Sequence, residues 1–407
     1  LYTKEFKKNV FATNCIGGNL MATKYVSVLD FGSSKISVMI GESGVNNTFN
    51  IRGTGEVEYA GFYNGEFVEP EKLYETIASC IVKAETNSGL KVQKLHIGVP
   101  AEFSYVATQN SSVAFSKRTK ISNAEIADLF DVASREIRDE KSTIISRSPI
   151  YFLLDDNRKV IDPKGALSTR LSGQVCFVLA DNKFIDTVDG IVKTMGLTEV
   201  EYISSALSES LYLLDPEKRD AGAILVDVGY LTTSVCYVKG DGLLDMGKFS
   251  LGGGHITADL CQVLQISFKE AESLKRKVVL SLLASDSDFY EVSTNGNITP
   301  ISAKLTNEIV SSRLDMIIEL INRCLVKMRG NNYVPVYLTG GGICFVKGGK
   351  DYISKGIGEN VEILTSNVPQ MNRPNYSSIL GLLDIALKEN KCEKTSLWAK
   401  IKKMFKK

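Results

Sequence analysis

The sequence predicts an α/β protein made of two related halves that face each other across a cleft. Two observations carry the prediction: an Asp-x-Gly hairpin occurs twice in matching form, and glycine-rich turns follow the second copy in an order that would complete a ligand site. The composition agrees, with 407 residues, 44% hydrophobic content, 23% charge and a net charge of +1, ordinary values for a globular chain. At roughly 100–200 residues per domain this length suits two to four domains.

The first hairpin is "VLDFGSSKISV" (residues 28–38) and the second is "LVDVGYLTTSV" (residues 225–235). Asp30 superimposes on Asp227, Gly32 on Gly229, Lys35 and Ile36 on Thr232 and Thr233, and Ser37 on Ser234. The glycine lets the backbone turn and approach a phosphate, and the N–H groups of such a turn form an anion nest. An Asp at the end of the first strand suits hydrated Mg2+, which keeps several waters and takes few carboxylates. One Asp-x-Gly turn is equally a plain hairpin; two matching copies about 200 residues apart point to half-molecules that each supply one jaw.

Further segments fall where that arrangement wants them. "SLGGGHITADL" (residues 250–260) runs a glycine turn into a helix, where the N–H groups of Gly253 and Gly254 can meet phosphate. "FKEAESLKRKVVL" (residues 268–280) is helical and sets Glu272 and Lys275 on one face. "VPVYLTGGGICF" (residues 334–345) is a buried strand whose Gly340, Gly341, Gly342 and Ile343 would let the backbone lie against an adenosine. Each has a bland alternative, a flexible turn or a solvated helix face, and their order along the chain carries the reading.

Composition also excludes classes. Eight cysteines (Cys15, Cys80, Cys176, Cys236, Cys261, Cys324, Cys344 and Cys392) form no Cys-x-x-Cys pair, so neither a zinc site nor a disulfide framework is supported and a reducing cytosol is the natural setting. His96 and His255 are too few for a His-rich metal centre or a Ser-His-Asp hydrolase. No charge excess points to nucleic acid, and no apolar run approaches the ~18 residues of a membrane span. Ile16-Gly17-Gly18 can be encoded by a ribosome-binding sequence ahead of Met21, so residues 1–20 read as a translated leader outside the fold.

Taken in order, these motifs resemble the actin-like ATPase superfamily (ribonuclease H-like, duplicated, two-lobed) and, within it, the FtsA family of bacterial division proteins. The FtsA feature is an inserted 1C subdomain. Here "LHIGVP" (residues 95–100) ends a strand and a self-contained α+β segment follows. It holds a helix N-capped by Ser122 or Asn123 and a turn keeping Ile161, Pro163, Gly165, Arg170 and Leu171, with Ser168 in place of the family's second glycine. The implied organisation is 1A at 21–102 and 181–221, 1C at 103–180, 2A at 222–262 and 334–390, and 2B at 263–333.

The last residues, "SLWAKIKKMFKK" (396–407), follow a polar stretch at 391–395 that reads as a linker. On a wheel of ~100° per residue, Leu397, Trp398, Ile401, Met404 and Phe405 fall in an arc of about 120°, and Lys400, Lys402, Lys403, Lys406 and Lys407 fill the rest. Lysines without acids opposite an aromatic face suit an anionic membrane interface, each worth on the order of 1 kcal/mol there. Docking on the chain's own domain or on another protein is the alternative. So short a helix is marginal in water, which predicts disorder until a membrane binds.

The resemblance implies ATP and Mg2+ between the lobes. Asp30 and Asp227 would orient hydrated Mg2+; Gly32, Ser33, Ser34 and Lys35 with Gly229, Thr232 and Thr233 would cradle phosphates. Glu272 and Lys275 would contact ribose or adenine, opposite the Gly340–Ile343 segment, and His255 would sit by the second phosphate turn, face the next protomer, or be structural. It further implies head-to-tail self-assembly, FtsZ as partner, anionic lipids bound by the tail, and a peripheral place on the cytoplasmic face of the cell membrane at the division site. Two departures predict slow or absent hydrolysis: Tyr230 and Leu231 replace family glycines, and Ile203-Ser204 offers no Gln or Glu to position water. Glu209 reads as a helix-surface residue. The alternatives are a PilM-like scaffold of a pilus or secretion machine and a sugar-kinase-type phosphotransferase.

Overall fold

A computed structural model describes residues 25–44, 48–137, 139–294 and 297–404, with 294, 297 and 391–404 described by backbone only. The proposed leader at 1–20 lies outside the described residues.

The first lobe opens with β1 (Tyr25–Phe31), β2 (Lys35–Ser43) and β3 (Phe49–Glu58), then the small hairpin β4 (Phe62–Tyr63) and β5 (Glu66–Phe67), helix α1 (Leu73–Ser88) and β6 (Lys94–Val99). An insertion follows: β7 (Ser104–Lys120), α2 (Asn123–Ser134), β8 (Ser142–Leu153), β9 (Lys159–Val160) and β10 (Leu167–Asp181). The lobe resumes with α3 (Asn182–Thr194), β11 (Glu199–Ser204) and α4 (Ser205–Leu213), and α5 (Pro216–Ala221) leads out of it. The second lobe contains β12 (Ala223–Val228), β13 (Thr233–Lys239), β14 (Gly242–Phe249), α6 (Gly253–Leu264), α7 (Phe268–Lys275), β15 (Phe289–Thr294), β16 (Asn297–Ser302), α8 (Ala303–Arg329), β17 (Val336–Thr339), α9 (Gly349–Ile357) and β18 (Glu362–Ile363). The chain ends in α10 (Ser377–Met404).

The duplication is explicit in the sheets. The first runs β11-β6-β1-β2-β3 and the second β18-β17-β12-β13-β14, the same order of equivalent strands. β1 pairs antiparallel with β2 and parallel with β6, as β12 does with β13 and β17. Asp30 faces Ser37 across the first hairpin and Asp227 faces Ser234 across the second, so the sequence repeat is also a register repeat. The fold is the duplicated actin-like one.

Apolar residues decide each layer. Val28, Leu29, Val38 and Ile40 are buried on both faces of the first sheet; in the second, Ile224, Val226 and Val235 are buried on one face and Leu225 and Cys236 on the other. Such near-continuous hydrophobic runs need a cover on each side. Helix α1 covers one face of the first sheet with Leu73, Ile77, Cys80 and Ala84. In the insertion, Ser122 caps α2 in a capping box with Glu125, and α2 packs Ile126, Leu129 and Phe130 on a sheet ordered β7-β10-β8-β9. That sheet also abuts the second lobe: Asp241 N donates to Pro149 O at 3.0 Å, and a Cβ on Gly242 would meet Cys176 Cβ at 2.9 Å.

Three boundaries differ from the sequence reading. Helix α10, expected with the second lobe to residue 390, lies on the first sheet: Ile379, Leu380, Leu382, Leu383 and Ala386 share a core with Val26, Val28, Met39 and Ile203. Helix α10 thus supplies most of the apolar cover on that sheet face, joined by Leu211 and Tyr212 of α4. The 391–395 stretch expected as a linker is helical, its backbone continuing α10 to Met404; its Lys- and Glu-rich sequence is compatible with helix. Helix α7 ends at Lys275 rather than near residue 280, because Val278 enters the second-lobe core and Val279 forms a β-bridge with Lys347.

Candidate nucleotide cleft

The two hairpins meet at the floor of a cleft of about 1060 Å3 between the lobes. This is room for a cofactor-sized molecule. Asp30, Gly32, Ser33, Ser34 and Lys35 line it from the first hairpin; Asp227, Gly229, Thr232 and Thr233 line it from the second; Glu272, Lys275, Gly340, Gly341 and Gly342 form the far wall.

Each Asp stands at the end of a buried strand, where its carboxylate loses water. Asp30 accepts hydrogen bonds from Ser378 Oγ (3.0 Å) and Ser205 Oγ (3.3 Å), yet burial still raises its pKa to about 6. For Asp227, burial and then the Asp30 charge raise it to about 7. Two desolvated acids facing one another favour a cation between them, so this pair fits Mg2+. Gly340, at φ +96°, lets its backbone pass Asp227; a Cβ there would strike Asp227 Oδ1 and Val228 O.

The phosphate loops touch directly, since Leu231 N donates to Ser33 Oγ at 3.0 Å. Lys35 pairs with Glu56 at 2.7 Å and lies 4.8 Å from the centre of the Tyr376 ring. Tyr230, expected to obstruct backbone approach, turns its ring over Gly254, where a Cβ would come within 2.8 Å of it, and meets Phe268 edge-on. Leu231 is not among the residues lining the cleft. Tyr230 is thus seated against α6 and α7 while still lining the cleft.

Other expectations are corrected. Gly253 and Gly254 do not line the cleft: their N–H groups donate to Gly229 O (3.0 Å) and Tyr230 O (2.6 Å), so the second hairpin itself caps α6. Ile343 also leaves the wall, being fully buried in the second-lobe core. Lys275 is 4% exposed and donates to Gly253 O, Thr257 Oγ1 and Glu272 Oε2, bracing the wall from behind. His255 accepts from Gly252 N at 3.1 Å, a capping role at the start of α6. Glu209, read as a surface residue, is 4% exposed and lines the cleft. Its helix α4 is sandwiched between the cleft and α10, with Gly381 close enough that a Cβ would meet Ser208 O and Glu209 N at 2.7–2.8 Å. Sequence reading also missed Ser205, Ser377, Ser378 and Tyr376, which reach the cleft from α4 and the start of α10.

The tail residues Leu397, Trp398, Lys400, Ile401, Lys402, Lys403 and Met404 are described by backbone only, and Phe405, Lys406 and Lys407 lie outside the described residues. Among the described residues no helix is long and apolar enough to cross a membrane.

Residues 224–381 match the family described as "Cell division protein FtsA", and residues 104–179 match the "SHS2 domain inserted in FTSA". The chain belongs to the FtsA family. This FtsA-family chain is 24% identical over 368 residues to the cell division protein FtsA of Bacillus subtilis (strain 168), covering 89% of this chain and 83% of that one. The FtsA of Enterococcus hirae is 23% identical over 362 residues, covering 88% and 81%. Among solved structures, one of a PilM-PilN type IV pilus biogenesis complex is similar at TM-score 0.62 and 17% identity, covering 90% of this chain and 99% of that one. MreB5 of Spiroplasma citri, bound to ADP, reaches TM-score 0.54 and 11% identity over 92% and 99%. These structural likenesses establish the fold; the FtsA matches make the chain an actin-like cell-division protein.

Proposed function

We propose that this FtsA-family protein binds ATP with Mg2+ in the interlobe cleft, assembles head to tail, and tethers the FtsZ ring to the cytoplasmic face of the cell membrane through its C-terminal segment. The observation that carries the reading is the pair of buried acids, Asp30 and Asp227, at the mirrored ends of two matching hairpins on a cleft of nucleotide size. Bound Mg2+ would supply positive charge to the acids and to phosphate oxygens. Ser33, Ser34 and Thr232 offer hydroxyls to phosphate, whereas the buried Thr233 hydroxyl is already donated to Leu251 O at 2.6 Å; Gly340 and Gly341 offer a flat wall to the nucleoside. Phosphate has to compete with the Ser33 contact for the Leu231 N–H, so nucleotide would part the two loops and then join them through itself.

Turnover is proposed to be slow or absent, because Ser204 and Ser205 at the opening of α4 carry no carboxylate or amide, and the carboxyl of Glu209 further along α4 is engaged with Ser377. The lysine-faced segment 396–407 is the proposed lipid contact. The test is co-sedimentation with anionic vesicles and with purified FtsZ in Mg-ATP, comparing the full chain with one lacking residues 396–407. Tail-dependent pelleting of both proteins is expected; equal pelleting of the two forms would overturn the tether. Direct nucleotide titration with and without Mg2+ tests the cleft, and rapid Mg-ATP hydrolysis would overturn slow turnover.

A further inference from the structure

Glu209 holds no ligand in the reading above, yet it sits at the crossing point of both lobes. Its Oε1 lies 2.6 Å from Ser377 Oγ at the start of α10. The same hydroxyl lies 2.5 Å from Pro374 O and 3.1 Å from Thr339 Oγ1, on the strand that runs into Gly340. A serine hydroxyl has one proton to donate and two lone pairs to accept with. Pro374 O is a carbonyl and can only accept, so the Ser377 proton belongs there. Ser377 must then accept from its other two neighbours. Thr339 can donate, and Glu209 can do so only as a protonated carboxylic acid. The reverse assignment would leave Ser377 Oγ and Pro374 O as two acceptors in contact without a proton between them.

We propose that Glu209 is a neutral carboxylic acid whose O–H, through Ser377, latches the connecting helix α4 and α10 of the first lobe to Thr339 of the second. It is a positioning residue: it holds the Thr339–Gly340 junction, and so the wall beside Asp227, in register with the first lobe. The surroundings agree, since burial and the charges of Asp227 and Asp30 hold the Glu209 carboxyl well above the usual carboxylate range. The inference concerns the nucleotide-free protein and stands whether or not the cleft takes ATP.

The test is made on the full-length protein without nucleotide at pH 7.5. Infrared spectra should show the carbonyl stretch of a buried protonated acid, and Glu209→Gln should remove it. The amide of Gln donates in the same direction, so E209Q should keep amide-exchange protection of residues 339–342 within about twofold of the parent. E209A should raise exchange there about five- to tenfold, the loss of one net hydrogen bond. If E209A does not fold, Ser377→Ala removes the acceptor instead and should open the same amides. Absence of an acid band sensitive to E209Q, or an E209Q protein that opens as far as E209A or S377A, would overturn the latch.

Discussion

The two hairpins are built to one plan but hold their acids differently. Asp30 receives hydroxyl protons from Ser205 of α4 and Ser378 of α10, with Lys35 adding positive charge nearby. Asp227 has no hydroxyl partner among the described residues, and its neighbours on the cleft side include Gly340, Asp30 and Glu209. Its pKa is raised to about 7, against about 6 for Asp30. The first jaw is therefore preorganised by α4 and α10. The second carries an unmet need for positive charge, which makes it the more responsive to an arriving cation.

The largest expected effect tests the backbone that makes room for the second acid. Gly340→Ala forces a side chain into a left-handed position against Asp227, and should cost about 3 kcal/mol of stability. Chemical denaturation measures it, and a near-neutral result would show that Asp227 can move aside. Next, Asp227→Asn should lower Mg2+-dependent nucleotide affinity about 10–100-fold while stabilising the nucleotide-free protein at pH 8. A raised folded-state pKa gives stability that is present below the ordinary value of 3.8 and lost as pH rises through about 7. Melts at pH 5 and pH 8 should therefore diverge less in D227N than in the parent, by on the order of 1–3 kcal/mol. Asp30→Asn should show the smaller shift, in the window up to about pH 6; a larger one would invert the comparison.

Smaller effects probe the loops. Gly254→Ala should displace the Tyr230 ring and cost about 1 kcal/mol, and Tyr230→Ala in the same chain should restore most of it in a double-mutant cycle. Ser33→Ala removes the hydroxyl that occupies Leu231 N–H. It should change stability by less than about 1 kcal/mol and speed nucleotide association in stopped-flow mixing. Slower association would mean that the contact prepares the loops for phosphate.

Much of this was legible because the repeat is local. Asp, Gly and the returning strand lie within eleven residues, so the hairpin, its register and its acid can be read from one window. The insertion was legible for a similar reason, in its capped helix and flanking strands. What escaped reading depends on contacts between distant segments. Ser378 lies 348 positions from the acid it serves, and Ser377 lies 168 from Glu209. No pattern inside α10 announces which sheet it will cover. Glu209 did leave a trace: it lies three residues after Ala206 and four before Leu213, on the same face of α4 as these two apolar residues. Gly253 and Gly254 misled because a glycine turn at a helix start serves a phosphate or a carbonyl cap equally well. Only the position of Gly229 O and Tyr230 O decides between them.

Helix α10 has a mechanical reading as well. Its first residues touch Asp30 and Glu209, and its backbone runs without interruption for 28 residues, about 42 Å at 1.5 Å per residue. A stiff rod of that length acts as a lever arm: a tilt of about 5° at its root sweeps the far end through roughly 4 Å. Rearrangements too small to notice at a carboxylate would become displacements the width of an amino acid at the other end of the rod.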